Sequence, residues 1–523
     1  MMEKAKGSTG LRRKQACRPR RYLPVRYIFA ALVTVLEVVA MIAAVAACCY
    51  YIPYFYILVF VAQAACVVKI IASDDNPDYK VPWLFFILVL PIAGFMLYLL
   101  FYSRKLKPKY IRRLRELRKQ TAPVQDADAV AALEKRDPVI AADARMLCGI
   151  SGSRLYQGTA QRYYPSGEAM WGQLLADLQG AKQFIFLEFF IVAEGRLWRS
   201  VLEILKQKAA NGIEIRMLYD DIGCMTSLPG NYAAQLRRAG IDAVPFSRLR
   251  GNADSEFNNR NHRKILVVDG RIGYTGGFNL ADEYVNEVER FGYWKDAGLR
   301  LEGEAVQELT RLFLVDYGLS VKHFQPQERY YRFAACRTES RGFLIPFGDG
   351  PRPLYRRRVG KSVIQNMLAH AGRSMWIYTP YLIIDNDLCV SIENAALRGV
   401  DVRIMLPHIP DKKLVFAMSR SFYPRLMAAG VKMFEYTPGF LHAKCYLADD
   451  NCAMIGSINL DYRSLVHHFE NGVWMYRCEC IPALKNDMKN AFSVASRVQE
   501  EDLRIGLPQR VFRALIRIVA PLL

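Results

Sequence analysis

His262, Lys264, Asp269, Gly276 and Asn279 recur with the same spacing as His442, Lys444, Asp449, Gly456 and Asn459. The chain holds seven histidines in 523 residues, and two of them open these phrases. The residue types point to phosphodiester chemistry. Lys264 and Lys444 would place positive charge on phosphoryl oxygens, and Asn279 and Asn459 would donate amide hydrogens, stabilising the transition state without a metal. Histidine, with an unperturbed pKa of roughly 6.5, serves as a nucleophile when neutral and as an acid when charged. One histidine attacks phosphorus and the other protonates the leaving alcohol, a step worth roughly 10²–10⁴ in rate. One copy of such a short pattern arises by chance. Two copies with matched downstream Gly and Asn mark two halves of one catalytic site.

Local structure must position these groups. Ile265-Leu266-Val267-Val268 and Cys445-Tyr446-Leu447-Ala448 read as buried strands. Alternation along an extended chain turns His262 and Lys264 to one face, and likewise His442 and Lys444. Asp269 and Asp449 belong to the repeated catalytic signature. Their place at the far end of each strand assigns them to the turn into the Gly-x-Asn segment. Each histidine also needs a carboxylate to fix its tautomer. Asp296 and Glu470 follow the two motifs at similar distances and are the candidates. Spacing leaves open which serves which histidine. Gly277 stands where the second copy has Ser457, so the first half lacks one hydroxyl.

The repeat extends upstream. Residues 181–188 and 371–379 read as strands, each followed by a helical stretch and a second strand, at 212–218 and 399–406. Strand–helix–strand order twice over predicts an α/β fold of two pseudo-symmetric halves forming one active site. The expected organisation is a basic tail and hydrophobic segments over 1–104 and a basic helical connector over 105–160. A first half over 161–328, a linker over 329–353 and a second half over 354–500 follow. An amphipathic C-terminal helix over 501–523 presents Arg510, Arg513 and Arg517 on one face.

The paired motifs resemble the phospholipase D superfamily. Longer phrases resemble its bacterial cardiolipin synthase branch: Leu218-Tyr219-Asp220-Asp221-Ile222-Gly223, Asn261-His262-Arg263-Lys264-Ile265 and Gly276-Gly277-Phe278-Asn279-Leu280-Ala281-Asp282-Glu283-Tyr284. In the second copy they are Pro438-Gly439-Phe440-Leu441-His442-Ala443-Lys444 and Gly456-Ser457-Ile458-Asn459-Leu460-Asp461-Tyr462-Arg463-Ser464. The resemblance implies a phosphatidyltransferase without cofactor or metal. It implies two molecules of phosphatidylglycerol as substrates, a phosphohistidine intermediate, and His262 as the nucleophile.

Charge and hydropathy place the chain at a membrane. Residues 1–120 hold 20 Lys/Arg against 6 Asp/Glu, which is +14 of the total +21. The excess flanks hydrophobic segments, where it meets anionic lipid, and is not a nucleic-acid stripe over the catalytic part. Residues 28–49, 52–68 and 83–102 are the candidate spans. Nine basic residues precede Ile28 and nine more lie in 104–119; both groups favour the cytoplasm. That requires an even number of crossings, so one of three candidates is re-entrant, and the short 52–68 segment is the expected one. Glu37 is expected to face another helix. The expectation is a multi-pass membrane protein with a cytoplasmic catalytic domain.

The cysteines show no metal spacing and read as reduced residues. A hydrolase with water as acceptor, or a transferase using another alcohol such as serine or ethanolamine, fits the same motifs. A nuclease is disfavoured by the hydrophobic N-terminus and the modest charge of the catalytic part. A catalytically dead scaffold is disfavoured by the intact His, Lys and Asn of both copies.

Overall fold

The computed structural model describes residues 22, 25–101, 108–122, 127–248, 259–330, 338–355 and 357–520. The basic tail, Arg104, parts of the connector and of the 329–353 segment lie outside the described residues. Among the described residues, two mixed sheets form the catalytic body. In the first, Phe184–Phe189 pairs in parallel with Glu214–Asp220 and antiparallel with the motif strand Ile265–Val268. In the second, Ser374–Tyr378 pairs in parallel with Asp401–Pro407 and antiparallel with the motif strand Cys445–Ala448. Both motif strands are buried throughout, so they read as unbroken apolar runs. The apolar core is continuous between the halves: Phe184, Phe186, Ile265 and Val267 belong to the same cluster as Phe343, Ile345, Ile377 and Ile455. The body is therefore one α/β unit of two halves.

The segment expected as a linker is only partly one. Phe343–Asp349 is a fully buried strand paired antiparallel with Glu470–Tyr476. Its apolar residues, Phe343, Leu344, Ile345 and Phe347, explain why it is drawn into the sheet. The basic connector is helical over Pro108–Gln120, Ala127–Arg136 and Pro138–Ser151, and its last residues form the short strand Tyr156–Gln157 and the start of Ala160–Tyr164. At the start of the third helix the Asp137 side chain accepts from Ile140 N, and Pro138 occupies the first turn.

At the N-terminus are helices α1 (Val25–Tyr51), α2 (Phe55–Ala72), α3 (Pro77–Val89) and α4 (Pro91–Phe101). Residues 31–51 of α1 and the whole of α2 are long and apolar enough to cross a membrane. The break falls elsewhere than expected. Residues 52–68 belong mostly to the unbroken α2, whereas residues 83–102 divide at Leu90–Pro91 and fold back on themselves. Proline removes one helical hydrogen bond at that point. Gly94 lets α4 close on α3: a Cβ there would meet the Phe86 carbonyl oxygen at 1.9 Å. The two arms pack through Trp83 and Tyr98, whose ring centroids are 5.9 Å apart. Glu37 lies on the exposed face of α1 rather than against another helix.

Both ends of the α1–α2 hairpin touch the catalytic body. Before α1, Tyr22 N donates to Thr226 O at 3.0 Å and Tyr22 OH to Glu194. After α2, Asn76 donates to Asp385 at 2.8 Å, and Asn386 N donates to Asp78 at 2.6 Å.

Candidate active site

Each histidine segment enters the site paired in parallel with the other half, His442 through a short ladder and His262 through a single bridge. Gly439–Leu441, leading to His442, pairs with Tyr293–Lys295, which leads to Asp296. His442 N then donates to Lys295 O at 2.7 Å. Symmetrically, Asn261 bridges in parallel to Phe469, and His262 N donates to Phe469 O at 2.9 Å. These pairings cross the carboxylates between halves. His262 Nδ1 lies 2.9 Å from Glu470 Oε1, and His442 Nδ1 lies 2.8 Å from Asp296 Oδ2. An ionised carboxylate only accepts, so each Nδ1 carries the proton and each Nε2 is left for chemistry.

His262, His442, Lys264 and Lys444 are buried together. Burial and then Lys264, Lys444 and His442 push the His262 pKa well below its ordinary value. Burial and Lys444 lower His442 to about 4, against the opposing pull of Asp296. Burial lowers Lys444 to about 8 and takes Lys264 well below its usual range. Burial would raise Asp296, but the His442 ring and Lys444 outweigh it and hold the carboxyl below its ordinary value. Burial and the two neighbouring lysines thus depress both imidazoles. An anionic phosphate would relieve that repulsion.

The supporting residues divide. Ser457 Oγ donates to Glu470, and Ser464 Oγ donates to the same carboxylate at 2.7 Å. Gly277, at the matching place, is needed empty: a Cβ there would meet Asp296 Oδ1 at 2.1 Å. Asn279 is already engaged, accepting from Ile191 N at 3.0 Å and donating to Tyr284 OH at 2.7 Å. Asn459 Oδ1 is buried and has no hydrogen-bond partner among the described residues. Asp269 and Asp449 are not in the centre, which corrects their place in the catalytic signature. The Asp269 carboxylate accepts from the backbone N of Lys182, Gln183 and Phe184, and Asp449 from Gly372, Arg373 and Ser374. Both sit at positive φ, 52° and 49°, a region Asp tolerates in turns. They pin the start of the first strand of each half to the end of the motif strand.

Sequence reasoning missed the buried frame behind His262. Arg260 pairs with Asp220 at 3.0 Å and Arg263 with Asp316 at 2.6 Å, all four inaccessible to solvent. Arg263 Nε also donates to Glu470 O at 3.0 Å, so it ties the motif to the carboxylate's own backbone. Their neighbours in sequence carry no sign of this, because an arginine beside a histidine reads as surface charge. His468 was also missed. Its ring centroid lies 5.5 Å from that of His262, its Nδ1 lies 3.7 Å from Glu470 Oε1, and neither ring nitrogen has a hydrogen-bond partner among the described residues. Its pKa is lowered to about 3, by burial first. His262, His468 and Glu470 have metal-ligand chemistry, with ligating atoms within 4.8 Å of one another. Both Glu470 oxygens already accept from His262 and serines. A cation there would compete with the imidazole.

Residues 174–314 and 364–492, more than half of the chain and including both motifs, match the family described as Cardiolipin synthase, PLD-like domain. The chain belongs to this family. It is an enzyme of the phospholipase D superfamily, a phosphatidyltransferase. Residues 61–101, from α2 to α4, match the family Phospholipase D-nuclease N-terminal. A cardiolipin synthase of Halalkalibacterium halodurans is 31% identical over 482 residues, 90% of this chain and 94% of that protein. A cardiolipin synthase of a Geobacillus species is 33% identical over 459 residues, 86% and 90% of the two chains. An uncharacterized protein of Streptococcus mutans is 38% identical over 469 residues, 87% of this chain and 99% of that one. The crystal structure of a phosphatidylserine synthase from Haemophilus influenzae superposes with a TM-score of 0.55 and 14% identity. It covers 74% of this chain and 100% of that one, and shows the fold alone. The two N-terminal apolar helices accord with membrane association of this cardiolipin synthase family member.

Proposed function

We propose that the enzyme transfers a phosphatidyl group from one phosphatidylglycerol to another, giving cardiolipin and glycerol. The observation that carries this reading is the crossed pairing, which leaves two imidazole Nε2 atoms and two lysines in one buried site. His262 Nε2 attacks phosphorus, and the bond from phosphorus to the head-group glycerol oxygen breaks. His442 donates the proton that oxygen needs, and glycerol leaves. The head-group hydroxyl of a second phosphatidylglycerol then attacks the phosphatidyl-His262 phosphorus. His442 takes back a proton, the P–N bond breaks, and cardiolipin is released. Lys264 and Lys444 hold the phosphoryl oxygens throughout. His262, neutral at pH 7, is ready to attack. Burial and then the lysine charges hold the His442 pKa at about 4, and His442 becomes a competent acid as the phosphate offsets those charges.

The same reading sets sidedness. The contacts of Tyr22 and of Asn76–Asp78 bring both ends of the α1–α2 hairpin to the catalytic body, which supports two crossings, with α3 and α4 as a re-entrant pair. The basic tail then holds this side in the cytoplasm. Purified enzyme in vesicles of phosphatidylglycerol alone tests the chemistry by lipid chromatography. Cardiolipin with equimolar glycerol supports transfer; phosphatidic acid alone replaces it with hydrolysis. Acid-labile phosphate on His442 rather than His262 reverses the two roles. A cysteine placed near Asp126 that reacts with an impermeant reagent in intact cells overturns the cytoplasmic orientation.

A further inference from the structure

The C-terminal helix, Leu507–Val519, has no part in the site described above. Its turns separate two chemistries. Leu507, Val511 and Leu515 follow at intervals of four, with Phe512 beside them, and all four are more than half exposed. Arg510, Arg513 and Arg517 occupy another arc. Ile516 and Ala520 are buried against the body. Ile518 and Ala520 share a cavity with Val81 and Pro82 of α3, and Val81 and Leu88 are themselves exposed. The C-terminal helix thus meets α3 across a cavity that Asp78, Arg425 and Arg517 also line, although more than 400 residues separate the two helices in sequence.

A groove of about 500 Å³ lies between the helix and Pro424, Met427 and Ala428. Arg504, Arg510, Arg513 and Arg517 line it, with Glu500 the one acid among the lining residues. None of the four arginines has a carboxylate partner among the described residues. Arg517 lies over the Phe422 ring at 4.9 Å. Burial, and then the nearby Arg420, push Arg513 below its ordinary pKa. Clustered guanidinium groups facing an apolar wall match one chemistry: a phosphodiester carried on acyl chains.

We propose that this groove binds the head group of an anionic phospholipid, separately from the catalytic centre, while the exposed apolar arc lies in the membrane interface. The phosphate sits among Arg510, Arg513 and Arg517, and the acyl chains run along Val511, Phe512 and Leu515. The site would hold the enzyme against anionic lipid and set the pitch of the body on the bilayer. This rests on the reading of the chain as membrane-bound, and not on the identity of its substrate.

The test uses the full chain in nanodiscs of equal phosphatidylglycerol and phosphatidylcholine. Phe512 is replaced by photoreactive benzoylphenylalanine in a His262→Ala background, so that lipid is not consumed. After irradiation, mass spectrometry reads lipid adducts on the C-terminal peptide. Phosphatidylglycerol adducts should exceed phosphatidylcholine adducts by at least about threefold, as clustered basic residues at a membrane surface require. Replacing Arg504, Arg510, Arg513 and Arg517 by Gln should bring the ratio to one while adducts persist. Arg510→Gln with Arg517→Gln, both at exposed positions, repeats the test with less risk to folding. The absence of lipid adducts, an equal ratio in the unsubstituted helix, or a ratio that ignores the arginines would each overturn the proposal. Failure of the transferase reading would leave these adducts unchanged.

Discussion

Asp296→Asn tests the crossed pairing more sharply than removal of either histidine. The substitution is isosteric, so the packing of this fully buried side chain is kept. Asp296 Oδ1 accepts from Ala297 N at 2.8 Å, and Oδ2 faces His442 Nδ1. An asparagine would keep its carbonyl on Ala297 N, which turns its NH₂ toward the ring. His442 Nδ1 must then accept, and the ring proton moves to Nε2. The inverted tautomer can neither become a stabilised imidazolium nor take a proton at Nε2. Loss of the charge-assisted bond alone is worth about 1.5–3 kcal/mol. Inversion of a catalytic histidine's tautomer in a serine protease costs about 10⁴ in turnover. The expected fall in cardiolipin formation is therefore between about 10 and 10⁴.

The assay has two parts. Glycerol release from phosphatidylglycerol vesicles gives the rate. Selective labelling of the histidine rings, seven signals in all, gives the pairing by NMR. Asp296→Asn should move the His442 resonances and lower that residue's pKa further, because the carboxylate is what opposes the lysines. Glu470→Gln should move the His262 resonances. If Asp296→Asn moves His262 and spares His442, or retains more than about a tenth of the activity, the crossed arrangement is refuted.

Gly277→Ala should cut turnover by at least about tenfold with little change in melting temperature, because its Cβ displaces the Asp296 carboxylate and not the core; unchanged kinetics would refute this. Arg263→Ala strands Asp316 in the interior and should cost about 3–5 kcal/mol of stability in denaturant titration. Arg263→Met with Asp316→Leu should recover most of it. His442 titrates at about 4 in the fold against roughly 6.5 when unfolded, so the unfolded chain takes the proton first as pH falls. His442 should contribute up to about 3 kcal/mol to the stability lost between roughly pH 6.5 and pH 4, beside the share of His262 and His468, and His442→Gln should reduce that slope in thermal melts. Strong chelation should leave turnover intact, because Lys264 and Lys444 supply the positive charge; restoration of a lost rate by a divalent ion would contradict this.

Much of the site is legible in the residues themselves. The repeated His-x-Lys phrase and the apolar tetrads after it are local patterns, and strand periodicity alone turns His262 and Lys264 together. The same locality identifies the hydrophobic N-terminus, since span length and composition need no partner. Locality also limits what can be read. The 83–102 stretch is as apolar as a single span, and only the packing of Gly94 on the Phe86 carbonyl turns it into two arms. Phe343–Asp349 lies in a Gly-rich stretch that reads as a linker, and becomes a strand because Glu470–Tyr476 offers it an edge.

The repeated sequence by itself determined which residue types are available for the proposed chemistry and that two halves supply them. It marked Asp269 and Asp449 as fixed members of the pattern, but the tertiary structure decided what they do. Each gathers three backbone N–H groups from a strand start more than 70 residues away in sequence. It marked Asp296 and Glu470 as candidate partners and could not assign them, because pseudo-symmetry makes the two local environments equivalent. The assignment comes from two parallel pairings between halves, which bring His442 to a carboxylate 146 positions away and His262 to one 208 positions away. Backbone hydrogen bonds between distant strands, and not any property of the motif, settle which acid orients which base.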